Sequence, residues 1–473
     1  MNRKIAFGFW LMAAGCLPAG AQRVLTLDSC RQMALRNNKQ LSISKMKQDV
    51  AANERKSART KYLPHVNALG TYVHTTKEVS ILNDDQKLVL SNVGTGLVSQ
   101  LPAPIQEKLA GLQTALNALG QDVVDAFRTD TRDIFAGTFA LTQPVFMGGS
   151  IIAFNKIADI KEKIAANALD ASRQSTLYTI DQAYWQVVSL YHKQKLARSY
   201  LDLVQKFDTD VYKMIDEGVA TKSDGLSVDV KVNEAEMTLT KVNDGLVLSR
   251  MLLNQLCGLP LDEQVTLADE QAENIAVVEI AAKPDVEMAV ANRPELKLLE
   301  NTVALSKQAT NVLKAGNLPQ VVLTGGYLIS NPNVFNGFEK KFSGMWNVGV
   351  SVRVPIWNWG DVMYKVRASK GTTAIVNLEL ADVREKIELQ VNQTAFKVEE
   401  ANKKLTMAQK NIQRAEENLR MANLGFSEGV ITPTTVMEAQ TAWLQAQSQK
   451  IDAEIDVKLS QVNLQKALGT LQY

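Results

Sequence analysis

Between Trp346 and Trp357 apolar and polar positions alternate strictly, with Trp346, Val348, Val350, Val352, Val354 and Ile356 on one face and Asn347, Gly349, Ser351 and Arg353 on the other. Successive side chains of a strand point to opposite faces, so the stretch reads as a strand with one dry and one wet face. An earlier stretch places Phe135, Phe139, Leu141 and Val145 on the equivalent face, with Gly137 and Gln143 as weaker members. Aromatic residues flank each stretch 11 positions apart, Phe135 with Phe146 and Trp346 with Trp357. At about 3.3 Å per residue and a tilt near 45°, such a strand covers roughly 25 Å of height, the lipid-facing band of a membrane barrel. A sandwich strand whose dry face meets a protein core shows the same alternation.

The period changes to that of a helix elsewhere. No proline lies between Pro144 and Pro260 or between Pro355 and Pro433, and proline breaks helix interiors. These windows predict helices over 151–215 and 362–426, each about 100 Å long at 1.5 Å per residue. In the second, Ala401, Leu405, Ala408, Ile412, Ala415, Leu419, Ala422 and Phe426 form a heptad seam rich in Ala, which lets a neighbouring helix approach closely. The first seam, Leu190, Gln194, Ala197, Leu201, Val204, Asp208, Val211 and Ile215, is interrupted by two polar residues. Each helix ends at a similar turn, Glu217-Gly218-Val219-Ala220-Thr221 or Glu428-Gly429-Val430-Ile431-Thr432. Glycine supplies the left-handed stop, and Thr221 or Thr432 caps a returning helix, with Asp224 three residues on or Pro433 at the first position. Two long helical hairpins follow, 151–257 and 362–468.

The chain is a tandem duplication. Ala34, Leu63, Pro64, Val66, Gly70 and Tyr72 recur 255 residues later, and Pro144, Gly149, Val187, Glu217, Gly218, Val219, Thr221 and Gly258 recur 211 residues later. The change of offset marks an insertion of 44 residues in the first copy, between Tyr72 and Pro144. Repeat 1 covers 22–260, an acidic linker 261–283, and repeat 2 284–473. His65 to His74 and Gln320 to Ile329 supply partner strands, making one hairpin per copy, the second over 320–356. The insertion enlarges the first hairpin loop to about 75–134, where Ile105 to Phe127 has helical periodicity; the second loop, near Asn336-Gly337, is short. Four strands cannot close a spanning barrel, for which about eight are needed, so the chain must oligomerise to span, and a trimer with twelve strands is the natural candidate.

Composition narrows the partners. The 473 residues carry 52 Lys plus Arg, 50 Asp plus Glu and 3 His. Met1-Asn2-Arg3-Lys4, the apolar run from Ile5 to Ala14 and Pro18-Ala19-Gly20-Ala21 have the order of a secretory signal peptide spanning 1–21. A lipoprotein cut before Cys16 is the alternative, against which Ala13 stands where a bulky residue is usual. Cleavage after Ala21 removes Arg3 and Lys4 and no acid, leaving zero net charge, which argues against nucleic acid as a partner. Three scattered histidines argue against a metal site, and no cofactor motif occurs. Cys30 and Cys257 remain after cleavage; export permits a disulfide between them, and two buried thiols is the other reading. HExxH, GxSxG and GxxxxGK[ST] are all missing, so an enzyme is not expected.

Strand hairpins alternating with very long helices, duplicated behind an export signal and turned at two Gly-Val tips, resemble the TolC family of outer-membrane efflux and secretion channels across essentially the whole mature chain. The resemblance implies a mainly α fold with membrane β: a homotrimer with a 12-strand barrel in the outer membrane of a Gram-negative bacterium and a 12-helix periplasmic tunnel. It implies a passive exit duct for a tripartite efflux or type I secretion system, gated at the tips, with a periplasmic adaptor (membrane fusion) protein, an inner-membrane pump and outer-membrane lipid as partners. Residues Glu217, Gly218, Val219, Thr221, Glu428, Gly429, Val430 and Thr432 would meet the adaptor. By motif position Asp224 and Glu438 would line the gate, whereas Thr435 stands where some relatives carry another acid. A periplasmic or secreted coiled-coil scaffold, its strands capping the helices, is the competing reading.

Overall fold

Two α-helices of 67 residues, α7 (Ser150–Asp216) and α11 (Asp361–Ser427), dominate the computed structural model, which describes residues 23–78, 80–272, 285–333, 335 and 339–471. In chain order the elements are β1 (Arg23–Leu25), α1 (Leu27–Asn37), α2 (Lys39–Thr60), β2 (His65–His74), α3 (Asp84–Ser91), α4 (Val93–Val98), α5 (Ala103–Lys108) and α6 (Ala110–Ala126). Then come β3 (Asp133–Met147), α7, α8 (Lys222–Cys257), β4 (Val265–Leu267), α9 (Val286–Asn292), α10 (Pro294–Lys314), β5 (Gln320–Asn331), β6 (Ser343–Arg353), α11 and α12 (Pro433–Ala467). Both proline-free windows are thus filled by helix to within a residue of the expected ends. The signal peptide, Cys16, residues 273–283 of the acidic linker and Asn336-Gly337 lie outside the described residues. The described part of the linker is not featureless: β4 and a 3-10 turn over Ala268–Gln271 occupy it.

One of two units comprises residues up to Ala52, Ile160–Ala304 and Ala374 onward, and it is built of helices around a short parallel pair, β1 with β4. Its largest apolar cluster joins Leu25, Cys30, Ile180, Tyr184, Val187, Leu253, Cys257 and Leu267. The Ala-rich seam of α11 is buried as its spacing requires: Ala401, Leu405 and Ala408 pack with Ala453 and Val457 of α12, and Ile412 and Ala415 with Ala446. The polar interruptions of the other seam fall in α7. There Gln194 donates to Asn243 Oδ1 of α8 at 2.7 Å. Within this core Arg31 of α1 forks onto Asp181 of α7 through Nε and Nη2 at 2.7 and 2.6 Å, and Asp181 is fully buried.

The other unit, Asn53–Asp159 with Leu305–Thr373, is organised by one antiparallel sheet in the order β2-β3-β5-β6. The two expected hairpins are present, and β3 with β5 stitches them together over Phe135↔Asn331 to Met147↔Gln320. One end of the sheet receives all four helix connections, from α2, α7, α10 and α11; the other carries the β2–β3 and β5–β6 loops. Near the helix-bearing end, α10 and α11 meet through hydroxyls, Ser306 with Thr373 and Thr310 with Ser369, each pair at 2.7 Å.

The sheet corrects one expectation. β6 stops at Arg353, so Val354 and Ile356, assigned above to the lipid-facing strand, lie beyond it with Trp357. The cause is Pro355, which has no N–H for the ladder.

Candidate functional site

Paired residues on neighbouring strands share a face, so the register assigns every side chain of the sheet. One face collects Val66 and Tyr72 from β2, Phe135, Phe139 and Leu141 from β3, Val321, Leu323, Tyr327 and Ile329 from β5, and Trp346, Val348, Val350 and Val352 from β6. Gly70, Gly137, Gly325 and Gly344 sit among them; a Cβ on Gly344 would collide with the Tyr327 ring. Trp346, Val348, Val350 and Val352 are each well over half exposed, at 59 to 75%. The opposite face is mixed: Asn67, Thr71, Thr138, Thr142, Thr324, Asn347, Ser351 and Arg353 lie there together with Leu69, Val73, Val322, Leu328 and Met345. No core covers the apolar side among the described residues.

Of the residues expected on this face, Phe135, Phe139, Leu141, Trp346, Val348, Val350 and Val352 are on it. Val145 is the extra residue of a β-bulge between Pro144 and Phe146, and the bulge shifts the alternation so that Phe146 rejoins the apolar face opposite Val321. The β5 and β2 members were not singled out by spacing alone. Their signal was in the duplication, which aligns Val66 with Val321 and Tyr72 with Tyr327.

Aromatic rings mark both margins. At the loop end Tyr72 and Phe135 lie 4.7 Å apart between centroids, and Phe342 is 6.1 Å from Phe135. At the helix end Phe146 is joined by Trp357 and Trp359, edge to face at 5.7 Å and both largely exposed. The strands β2 and β6, of 10 and 11 residues, are the sheet's edges, each with one row of backbone groups lacking a partner strand among the described residues. Edges this long, beside an open apolar face, are stable only when something pairs with them. No helix among the described residues is long and apolar enough to cross a membrane.

The two helical turns repeat one backbone design. Gly218 and Gly429 adopt φ of +76° and +74°. Val219 N–H donates to Met214 O and Val430 N–H to Gly425 O, both at 2.8 Å, which satisfies carbonyls the helix ends leave open. Val219 and Val430 project outward and are exposed, as are Glu217, Gly218, Glu428 and Gly429.

Beyond the turns the copies diverge. Thr221 and Asp224 form a capping box: Asp224 N–H donates to Thr221 Oγ1 at 3.2 Å, and the Asp224 carboxylate accepts from the Thr221 N–H and Oγ1–H at 2.9 and 2.7 Å. Those hydrogen bonds hold the Asp224 carboxyl below its ordinary range. The Thr432 hydroxyl meets the Thr435 hydroxyl at 3.1 Å and caps no backbone N–H, while Pro433 begins α12. Glu438 is exposed between buried Met437 and Ala439. Behind the first turn Tyr212 donates to Asp229 Oδ2 at 2.8 Å, and burial together with the nearby Asp229 pushes the Asp208 carboxyl up. The duplication puts Leu419, Asn423 and Gln440 at the positions of Asp208, Tyr212 and Asp229, and the buried Gln440 amide finds no hydrogen-bond partner among the described residues. Spacing alone did not single out this polar cluster.

Cys30 and Cys257 share one buried cluster, with Cys257 Sγ 4.0 Å from the Cys30 carbonyl. No group of three or more His, Cys, Asp or Glu placed to hold a metal occurs among the described residues.

A family model described as "Outer membrane efflux protein" matches residues 30–259 and 286–470. The chain is 20% identical to the outer membrane protein TolC of Vibrio cholerae over 351 residues, 72% of this chain and 77% of that one. It is 21% identical to the alkaline protease secretion protein AprF of Pseudomonas aeruginosa over 400 residues, 79% and 82% of the two chains. Among solved structures, the outer membrane protein VceC of Vibrio cholerae superposes with a TM-score of 0.72 at 14% identity, covering 94% of this chain and 96% of that one, a likeness of fold.

Proposed function

This chain belongs to the outer membrane efflux protein family, and from that premise we propose that three copies close one 12-strand barrel whose lumen continues into a helical tunnel. It is an outer-membrane channel for efflux or secretion, and the scaffold reading falls with that membership. The observation that carries the proposal is the four-stranded sheet with one apolar, aromatic-edged face and two open edges. Lipid covers the face, and β2 of one copy pairs with β6 of the next, leaving no edge. The opposite, mixed face, which holds the sheet's Asn, Thr, Ser and Arg side chains, then lines a water-filled path.

The helices support the same assembly. Leu378, Leu389, Phe396 and Met407 lie on one side of α11, spaced by whole turns, and are exposed in the single chain. A stripe of this kind calls for a helix of a second copy. We propose repeat boundaries of 22–260 and 284–473 with an acidic linker at 261–283, each repeat giving one strand hairpin and one helical hairpin.

Transport through such a duct needs no catalytic group. In our reading the tips dock a periplasmic adaptor that an inner-membrane pump engages, the exposed Val219 and Val430 supplying apolar contact and Glu217 and Glu428 polar contact. Asp224 and Glu438 line the closed entrance, Asp224 with a second duty as a cap. Carboxylates gathered at a constriction repel one another and attract cations, so they tune both opening and selectivity. The test is native mass after detergent extraction of the outer membrane. Three chains per particle are expected; a folded, water-soluble monomer or dimer overturns the proposal.

A further inference from the structure

The segment between β2 and β3 folds into the four helices α3 to α6, which a plain duct does not require. It is not a slack loop. Asn117 Oδ1 of α6 accepts from the N–H groups of Gly94 and Thr95 in α4 at 2.8 and 3.1 Å, and a Cβ on Gly120 would overlap the Leu90 carbonyl of α3. Its base is tied to the sheet's loop end, where Asp130 accepts from Arg132 at 2.8 Å and from Lys340 of the β5–β6 loop at 3.1 Å.

That packing uses one side of α6. On the adjacent side Leu112, Ala115, Leu119 and Val123 recur at helical spacing and face solvent, Leu119 at 60% exposure and Leu112 at 52%. Such a stripe on a folded, water-facing insert marks an interaction surface.

We propose that the α6 stripes of neighbouring copies pack on one another over the outer mouth of the barrel, forming a helical lid. The proposal rests on the trimer reading above. The occupant is a second copy because of where the insert is rooted: it springs from the β2–β3 hairpin, and closure sets the edge strand β2 against the next chain, so the insert stands beside the interface that joins the copies. The five acids and two bases of residues 84–126 count against an anionic glycolipid surface as the occupant.

The test is Leu119→Cys in the full-length, detergent-extracted protein, treated with a short membrane-impermeant bismaleimide. Cys30 and Cys257 are wholly buried and stay silent in the folded protein. Most of the monomer band is expected to shift to a covalent dimer on a denaturing gel, while Gln121→Cys, on the far side of α6, does not shift. Leu119→Asp should raise single-channel conductance by opening the lid. A particle of three chains with no dimer band, or with equal bands for both cysteines, overturns the lid and leaves the barrel standing. A particle of one chain overturns both.

Discussion

Thr221 and Thr432 stand 211 residues apart at equivalent places in the duplication, yet of the two side chains only that of Thr221 accepts a backbone N–H from the helix it precedes. The partner decides it. Asp224 completes a reciprocal box in the first copy, and Thr435 cannot do so in the second.

The two tips should therefore respond unequally to the same change. Thr221→Ala removes a working cap and should cost about 1 kcal/mol of local stability, whereas Thr432→Ala should cost a few tenths, about what a cap without its bond is worth. Amide hydrogen exchange over the first turns of α8 and α12 reads the difference. Equal acceleration at both tips would refute the asymmetry.

Charge on the sheet tests which face meets lipid. Val350 and Ser351 are adjacent in β6 and point to opposite sides. Val350→Arg should destabilise the assembled barrel by about 2–4 kcal/mol, as arginine does at mid-membrane on a lipid-facing strand, and Ser351→Arg should be tolerated in the lumen. The yield of folded trimer in outer-membrane fractions gives the answer; the opposite ranking would invert the sheet.

The Arg31–Asp181 pair is a third target. Asp181 is fully buried, so Arg31→Met leaves an uncompensated carboxylate and should cost about 3–5 kcal/mol, while adding Asp181→Leu should restore most of it. Denaturant unfolding of both variants checks this.

Asp208 supplies a pH dependence. Burial and Asp229 hold its carboxyl above the ordinary range, so the folded form prefers the protonated acid. Stability linked to this group is present below the usual carboxylate pKa and is lost as pH rises through the raised value. Asp208→Asn should stabilise the first hairpin at neutral pH and flatten the change in thermal stability from mildly acidic to neutral solution. An unaltered pH profile would show that Asp208 is not the titrating group.

These targets differ in how far they could be read from the chain. The long helices were legible because proline is absent from 145–259 and 356–432, and because Ala401, Ala408 and Ala415 keep a period the fold then buries. The tips were legible because glycine, threonine and aspartate each have a local job. The end of β6 was misjudged since alternation runs on past Arg353 through Val354 and Ile356, whereas the ladder obeys Pro355. The bulge at Val145 was hidden because an extra residue changes register without changing composition. Arg31 with Asp181, and Tyr184 with Asp269, join residues far apart in sequence, and no local period announces such pairs. Likewise the open stripe of α6 emerges only once the packing of Asn117 and Gly120 shows which side is already used.

The open edges β2 and β6 carry a consequence for inheritance. A chain with a spoiled β6 still offers a sound β2, so it enters rings with intact copies and leaves a seam in each ring it joins. Alleles that damage β6 should therefore poison the wild-type product when both are expressed. Alleles that weaken only a helix cap should pass unnoticed beside a good copy.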